Sequence, residues 1–279
     1  ITAPLGTPRS ELTKKMASAE ILCVPLLSGL TIVGLETYQI HQAVHRRDNP
    51  VFIMAGGFGT RLRPLTDNCP KPMLHLDGKP ILEIVLLQFI KAGFHNFYIS
   101  THYLANVIYE YFGDGSDWNV DISYIHEESP LGTGGALGLL PDDISELPLI
   151  FLNGDVLTTL DFEKVLEFHS KNEAVATMCV RGYEYRVPYG VIESDGNKIV
   201  SIIEKPTQRF FVNAGIYVIN PDIINSVEKN RPVDMPDLLE RHIKNGYDVL
   251  TFPIHEYWLD IGRMDDYRRA QVDILDLDL

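Results

Sequence analysis

An α/β fold built on a mostly parallel sheet, followed in the chain by a mostly antiparallel lobe, is predicted by three features. Between residues 51 and 171, short β-branched runs alternate with stretches of helical periodicity. The connections are short, marked by glycine, proline and asparagine. Beyond about Ala174, strands joined by hairpin-type turns take over. Alternating strands and helices make right-handed crossovers, cover both faces of a parallel sheet, and leave ligands at the carboxyl ends of the strands.

In order, VFIMA (51–55) reads as a strand, ILEIVLLQFIKAGF (81–94) as a helix, NFYIS (96–100) as a strand, NVIYEYF (106–112) as a helix and VDISYIH (120–126) as a strand. A glycine turn and a short helical piece from Gly135 to Leu140 lead into the strand LPLIFLNGD (147–155) and the helix FEKVLEFHSKN (162–172). The lobe comprises ATMCVRG, YGVIES, a DGN turn, KIVSIIEK, NAGIYVIN, DVLTFPI and YWLDIG, with helices at Met235–Asn245 and Met264–Leu275. Ahead of all this, EILCVPLL, a turn at Ser28 and Gly29, LTIVGLET and a helix to about Arg47 form a separate unit. The boundaries are 1–49 for that piece and 50–279 for the main body.

With 45% hydrophobic and 22% charged residues in 279, the composition is that of a soluble globular protein. A net charge of −14 argues against nucleic acid or an acidic membrane as partner, since both need a broad basic face. Cys23, Cys69 and Cys179 are far apart, with no CxxC pair, so neither a disulfide framework nor a zinc site is expected. The most apolar run, Leu82 to Ile90, is too short to span a bilayer and carries Glu83 and Gln88. A cytoplasmic location is expected. No signal peptide is visible, and the start at Ile1 without Met suggests that the natural N-terminus lies upstream.

Basic residues gathered in one loop stand out in so acidic a chain. AGGFGTRLRPLTDNCPKP, from Ala55 to Pro72, follows the first strand of the α/β region. It is not a P-loop, because no lysine follows a glycine at the required spacing. Nor is it the dinucleotide fingerprint, which meets Leu62 where its third glycine belongs. Glycines still let backbone N–H groups approach an anion closely, Arg61 and Lys71 supply the charge a polyphosphate demands, and Pro64, Pro70 and Pro72 stiffen the loop.

This string, with PKPML, NGD, EKP, NAGIYV and WLDIG following in order, resembles the signature of the sugar-phosphate nucleotidyltransferases, or NDP-sugar pyrophosphorylases. The resemblance implies a Rossmann-like sheet with a sugar-binding lobe. It also implies a reaction that joins a nucleoside triphosphate to a sugar 1-phosphate and releases pyrophosphate. The attack on the α-phosphorus is in line, so positioning and charge neutralisation do the catalysis. By the same resemblance, Ala55, Gly56, Gly57, Gly59 and Thr60 cradle the nucleotide, Arg61 meets the departing pyrophosphate, and Lys71 lies near the α-phosphate. Asp155 and Asp260 match metal-ligand positions, implying Mg2+. Lys205 would grip the sugar phosphate, Glu204 and Asn213 would bond sugar hydroxyls, and Gly190 would allow close backbone approach. Asp265 and Asp266 read as flanking the last helix.

Family members place one polar side chain at the position of Glu127, then a glycine, here Gly132, beneath the base. Thymine and uracil offer a donor beside an acceptor, which suits an amide, whereas guanine offers two adjacent donors, which suit a carboxylate. Glu127 therefore points to GTP, with Glu128 the neighbouring candidate and uridylyl or thymidylyl transfer the alternative. The sugar is left open between a hexose such as mannose and an amino-hexose. A catalytically silent relative would be expected to have lost basic loop residues or carboxylates, yet Arg61, Lys71, Asp155, Lys205 and Asp260 are all present. A glycosyltransferase would want a DxD, and NGDV offers one carboxylate.

The opening unit resembles half of a CBS motif, although Ile40 stands where that pattern often has a ribose-binding Asp. Packing or homo-oligomerisation is the alternative role for it. A CBS-like segment ahead of this transferase resembles the glucosamine-1-phosphate guanylyltransferases of legionaminic-type sugar biosynthesis.

Overall fold

The computed structural model describes residues 1–19, 21–29, 31–37, 46–277 and 279. Seven strands form one sheet in the order Val249–Ile254, Ala176–Arg186, Thr207–Ile219, Leu149–Asn153, Val51–Met54, Asn96–Thr101, Asp121–His126. Only Thr207–Ile219 runs against its neighbours, and every other pairing is parallel. The central strands are apolar throughout because both faces are covered: Val51, Phe52 and Ile53 are fully buried. On one face, helices Ile81–Lys91, Ala105–Phe112 and Phe162–Lys171 contribute Leu82, Val85, Phe89, Ile108 and Val165 to the core. On the other, the turns at 132–139 and the helix Met235–Lys244 bring Leu137, Leu238 and Leu239 against Phe52 and Phe151.

The helix Phe162–Lys171 is fixed at both ends. Asp161 caps its first turn by accepting from the Glu163 and Lys164 N–H groups at 3.1 and 3.3 Å. Near its other end the buried His169 bridges Thr177 Oγ1 and Asn220 Oδ1, each at 2.9 Å. Desolvation by burial lowers the pKa of this imidazole, against an opposing effect from the Asn220 bond.

The strands after Ala174 begin as part of the same sheet. Beyond Arg181, the strand Ala176–Arg186 and the first half of Thr207–Ile219 leave it as a two-stranded antiparallel ribbon, from which the hairpin Val191–Asp195/Lys198–Ile203 continues. WLDIG does not join this lobe. Trp258–Asp260 pairs antiparallel with Val156–Thr158, just past the NGD turn.

At the N-terminus, Ala3–Pro4, Cys23–Ser28 and Thr31–Thr37 make a three-stranded sheet. A helix the sequence pattern did not signal, Arg9–Ala19, covers it by packing Leu12 and Met16 against Ala3 and Val24. The helix expected to run on to Arg47, with Ile40, falls mostly at 38–45, outside the described residues. The cysteines are all free.

Candidate active site

The glycine loop leaves the carboxyl end of the central strand. Ala55 N–H donates to Ser100 O at 3.1 Å, holding the loop's root against the next strand. At Gly59 the backbone turns left-handed (φ 61°), and a Cβ there would stand 2.9 Å from Thr66 Cγ2 and 3.0 Å from Lys71 Cβ. Only glycine fits both constraints. Thr66, itself buried, donates its hydroxyl to Gly59 O at 2.8 Å, and Tyr103 OH donates to Asp67 O at 2.9 Å. These braces set the turn Thr60–Leu62, which carries Arg61 on its exposed side.

Lys71 is buried in a second short turn, Lys71–Met73, and its Nζ donates to Asp155 Oδ2. Asp155 lies at the turn after Leu149–Asn153, and its backbone O accepts from Ile261 N–H at 3.0 Å. That bond continues the pairing of Val156 with Asp260, so residues far apart in sequence place two carboxylates side by side. Arg61 closes the group: its guanidinium and Asp260 Oδ2 both lie within 3.6 Å of the point where a Cβ on Gly262 would stand. Burial first, and then the Asp155 charge, raise the Asp260 pKa, with Lys71 and Arg61 acting in the opposite direction.

Two adjacent carboxylates, one resisting ionisation, form a donor set that a divalent cation would relieve. Among the described residues no group of three or more His, Cys, Asp and Glu side chains gathers to hold a metal. A cation here would complete its shell with phosphate oxygens and water, which is the usual habit of Mg2+.

Glu127 is buried beside Gly56, where an added Cβ would meet its Oε1 at 3.0 Å. Its Oε2 accepts from Leu131 N–H at 3.0 Å, and its Oε1 is buried without a hydrogen-bond partner. One oxygen therefore shapes the PLGTGG turn and one is free, where the sequence suggested two free acceptors. Gly132, at φ 75°, packs so tightly on Val233 O and Asp234 Oδ1 that a Cβ would come within 2.8 Å of each.

The predicted sugar-phosphate residues are more dispersed. Glu204 and Lys205 are exposed at the base of the hairpin, 3.8 Å apart as an ion pair, with Gly190 against the Glu204 carboxylate. Among the described residues, no hydrogen bond or ion pair joins them to the Arg61, Lys71, Asp155 and Asp260 group. Asn213 turns inward: its amide donates to Tyr217 OH and its Oδ1 accepts from Gly215 N–H at 2.9 Å. Asp266 Oδ2 accepts from Arg263 N–H at 2.9 Å and caps the last helix, as expected.

Several residues of the site had no sequence signal. Thr66 and Tyr103 brace the loop, and His102 Nδ1 donates to Glu127 O at 2.7 Å, fixing the strand end that carries Glu127. Asn153, in the NGD motif, has a buried Oδ1 without a partner. Thr66 and Asn153 lay within recognised motifs, the glycine loop and NGD, without a role being assigned to either. The others act through pairings between segments that no local pattern reveals.

The sheet is of the α/β kind whose ligands lie beyond the carboxyl ends of its strands, and beside that end the chain gathers Arg61, Lys71, Asp155 and Asp260. The chain belongs to the nucleotidyl transferase family, whose profile matches residues 51–276. It is 33% identical over 241 residues to a mannose-1-phosphate guanylyltransferase of Mycobacterium tuberculosis, covering 84% of this chain and 66% of the relative. A mannose-1-phosphate guanyltransferase of Yarrowia lipolytica is 32% identical over 222 residues, or 77% of this chain and 61% of the relative. The chain thus spans less than two thirds of the length of these curated relatives. Among solved structures, HddC from Yersinia pseudotuberculosis complexed with GMP-PN matches with a TM-score of 0.61 at 28% identity, covering 81% of this chain and 99% of that one. The fold is also that of a putative glucose-1-phosphate thymidylyltransferase from Bacillus anthracis, with TM-score 0.66 at 21% identity over 82% of this chain and 96% of that one. Among the described residues, no helix is long and apolar enough to cross a membrane.

Proposed function

We propose that this protein transfers a guanylyl group from GTP to a hexose or amino-hexose 1-phosphate and releases pyrophosphate. The observation that carries the reading is the meeting of Arg61 and Lys71 from the glycine loop with Asp155 and Asp260 from paired strands. Ala55, Gly56, Gly57, Gly59 and Thr60 line the polyphosphate, and Arg61 neutralises the departing pyrophosphate. Lys71 exchanges Asp155 for the α-phosphate, where charge builds during the displacement. A sugar-phosphate oxygen forms the new bond to the α-phosphorus as the bond to the β-phosphate oxygen breaks. Lys205 holds the attacking phosphate, with Glu204, Asn213 and Gly190 at the sugar. Asp155 and Asp260 would hold Mg2+, which supplies charge neutralisation across the phosphates.

The free buried Oε1 of Glu127 supports guanine, whose N1–H and amino group both donate. The guanylyltransferase relatives point the same way. A second reading, uridylyl or thymidylyl transfer, is favoured by the engagement of Oε2 with Leu131 N–H, since one free acceptor also suits the single N3–H of uracil or thymine. Pyrophosphate release across GTP, UTP, dTTP, CTP and ATP, each with mannose, glucose and glucosamine 1-phosphates, tests both. GTP is expected to turn over fastest, and a higher kcat/KM with UTP or dTTP would establish the second reading instead.

A further inference from the structure

Guanine presents two adjacent donors, N1–H and the 2-amino group. Glu127 meets them with one free oxygen, Oε1, because its Oε2 already accepts from Leu131 N–H at 3.0 Å. A site that engages both donors needs a second acceptor beside Oε1.

The strand register places one there. Met54 lies level with Ser100, and Ser100 with Ile125. Met54 and Ile125 both pack into the core on the side of the helix Met235–Lys244. Alternate side chains of a strand share a face, so Gly56, His102 and Glu127, the next alternate positions, leave neighbouring strand ends towards that same side. The contacts agree: the point where a Cβ on Gly56 would stand is 3.0 Å from Glu127 Oε1 and 3.4 Å from His102 Cβ. Lacking a side chain, Gly56 leaves open a space bordered by these two residues.

The His102 ring is held in a defined orientation. Its Nδ1 lies 2.7 Å from Glu127 O. A carbonyl oxygen only accepts, so Nδ1 carries the hydrogen and the neutral imidazole presents a lone pair at Nε2. Phe58, from the glycine loop, stands edge-on to the ring with centroids 5.2 Å apart and buttresses it from the loop side. The side chain is partly buried, and among the described residues no hydrogen bond or ion pair engages Nε2.

Building on the guanylyl reading above, we propose that His102 Nε2 accepts guanine's 2-amino group while Glu127 Oε1 accepts N1–H. The base is then read by two side chains from adjacent strand ends. Uracil and thymine carry a single donor on the corresponding edge, N3–H, and leave Nε2 unmatched. Hypoxanthine keeps the N1–H and 6-oxo groups of guanine but lacks the amino group, so ITP isolates the His102 contact.

Pyrophosphate release with GTP and with ITP, on the unmodified chain and on His102→Asn, tests this. Asparagine keeps an amide N–H for Glu127 O and has no counterpart of Nε2. The unmodified chain should favour GTP over ITP by about 10-fold in kcat/KM, the effect of one hydrogen bond made or missing in an enclosed site, and His102→Asn should bring that ratio to about 1 by slowing GTP and sparing ITP. A His102 that only braced the strand end would, on substitution, lower both nucleotides by the same factor. That result overturns the assignment while leaving GTP the preferred nucleotide, and so does an unmodified chain that uses GTP and ITP alike. Faster turnover with UTP or dTTP than with GTP would instead remove the guanylyl reading, and this assignment with it. Should His102→Asn fail to fold, nitrogen NMR of the imidazoles in the unmodified protein decides. GTP must shift the His102 Nε2 resonance and ITP must leave it nearly unmoved; equal shifts overturn the assignment.

Discussion

Glu127 divides its carboxylate between a structural bond to Leu131 and a free oxygen beside Gly56. Glu127→Gln keeps the shape and replaces a charged acceptor with a neutral amide. A hydrogen bond to a charged group contributes about 1.5–3 kcal/mol, so kcat/KM with GTP should fall roughly 10- to 100-fold while UTP is much less affected. Equal losses with both nucleotides would show that this side chain does not read the base. Gly59 gives a second test at this scale. Ala at a left-handed position, pressed on Thr66 and Lys71, should cost about 1–3 kcal/mol of stability, read by denaturant titration. A stability within error of the parent would mean that the turn is not held as described. Gly59 and Lys71 were legible in the sequence because the loop is contiguous. Thr66 belongs to the same string, but its bracing role was not legible, because nothing local shows that its hydroxyl meets Gly59 O until the loop has folded.

At the scale of elements, the helix Phe162–Lys171 depends on a buried neutral imidazole. His169 has a lowered folded-state pKa, so above about pH 6.5 neither state binds its proton and its contribution is fully present. As pH falls below 6.5 the unfolded chain takes up the proton first, and that stability is lost towards the lower folded value. His169→Gln should be less stable at pH 7.5 but should narrow its gap to the parent by pH 5, in denaturant melts at both pH values. A constant gap would contradict the burial argument. Other pairings explain why Asp155 and Asp260 were legible as motifs but not as neighbours. Their approach depends on Val156–Thr158 meeting Trp258–Asp260, a contact spanning about a hundred residues. The second half of the reversed strand Thr207–Ile219 was readable as the strand NAGIYVIN, while its first half at 207–212 and its insertion between two parallel partners were not. The helix Arg9–Ala19 is not legible in the sequence because RSELTKKMASA carries only scattered apolar residues, of which Leu12 and Met16 pack against Ala3 and Val24.

For the molecule as a whole, the cradle and the carboxylate pair should make nucleotide and Mg2+ binding interdependent. A ligand at 100 times its Kd stabilises the native state by about 2.7 kcal/mol, which for a chain of this size raises Tm by several degrees, roughly 2–4 °C per kcal/mol. GTP with Mg2+ should give that shift, and GTP with EDTA clearly less. Identical shifts would separate the nucleotide site from Asp155 and Asp260. Strand and helix alternation made the parallel half of the sheet legible. The free ribbon at 182–213 was hidden, because alternating apolar residues look the same in a sequence whether they face a core or solvent.

The proposed chemistry is a transfer at the α-phosphorus by the loop and the carboxylates. Phosphorus NMR of GTP, Mg2+ and mannose or glucosamine 1-phosphate with the protein reads it directly. The triphosphate and sugar-phosphate signals should give way to inorganic pyrophosphate and the two coupled resonances of a sugar diphosphonucleotide, and Lys71→Ala should suppress both roughly 100- to 1,000-fold. Release of orthophosphate with GDP, or undiminished turnover by Lys71→Ala, would contradict it.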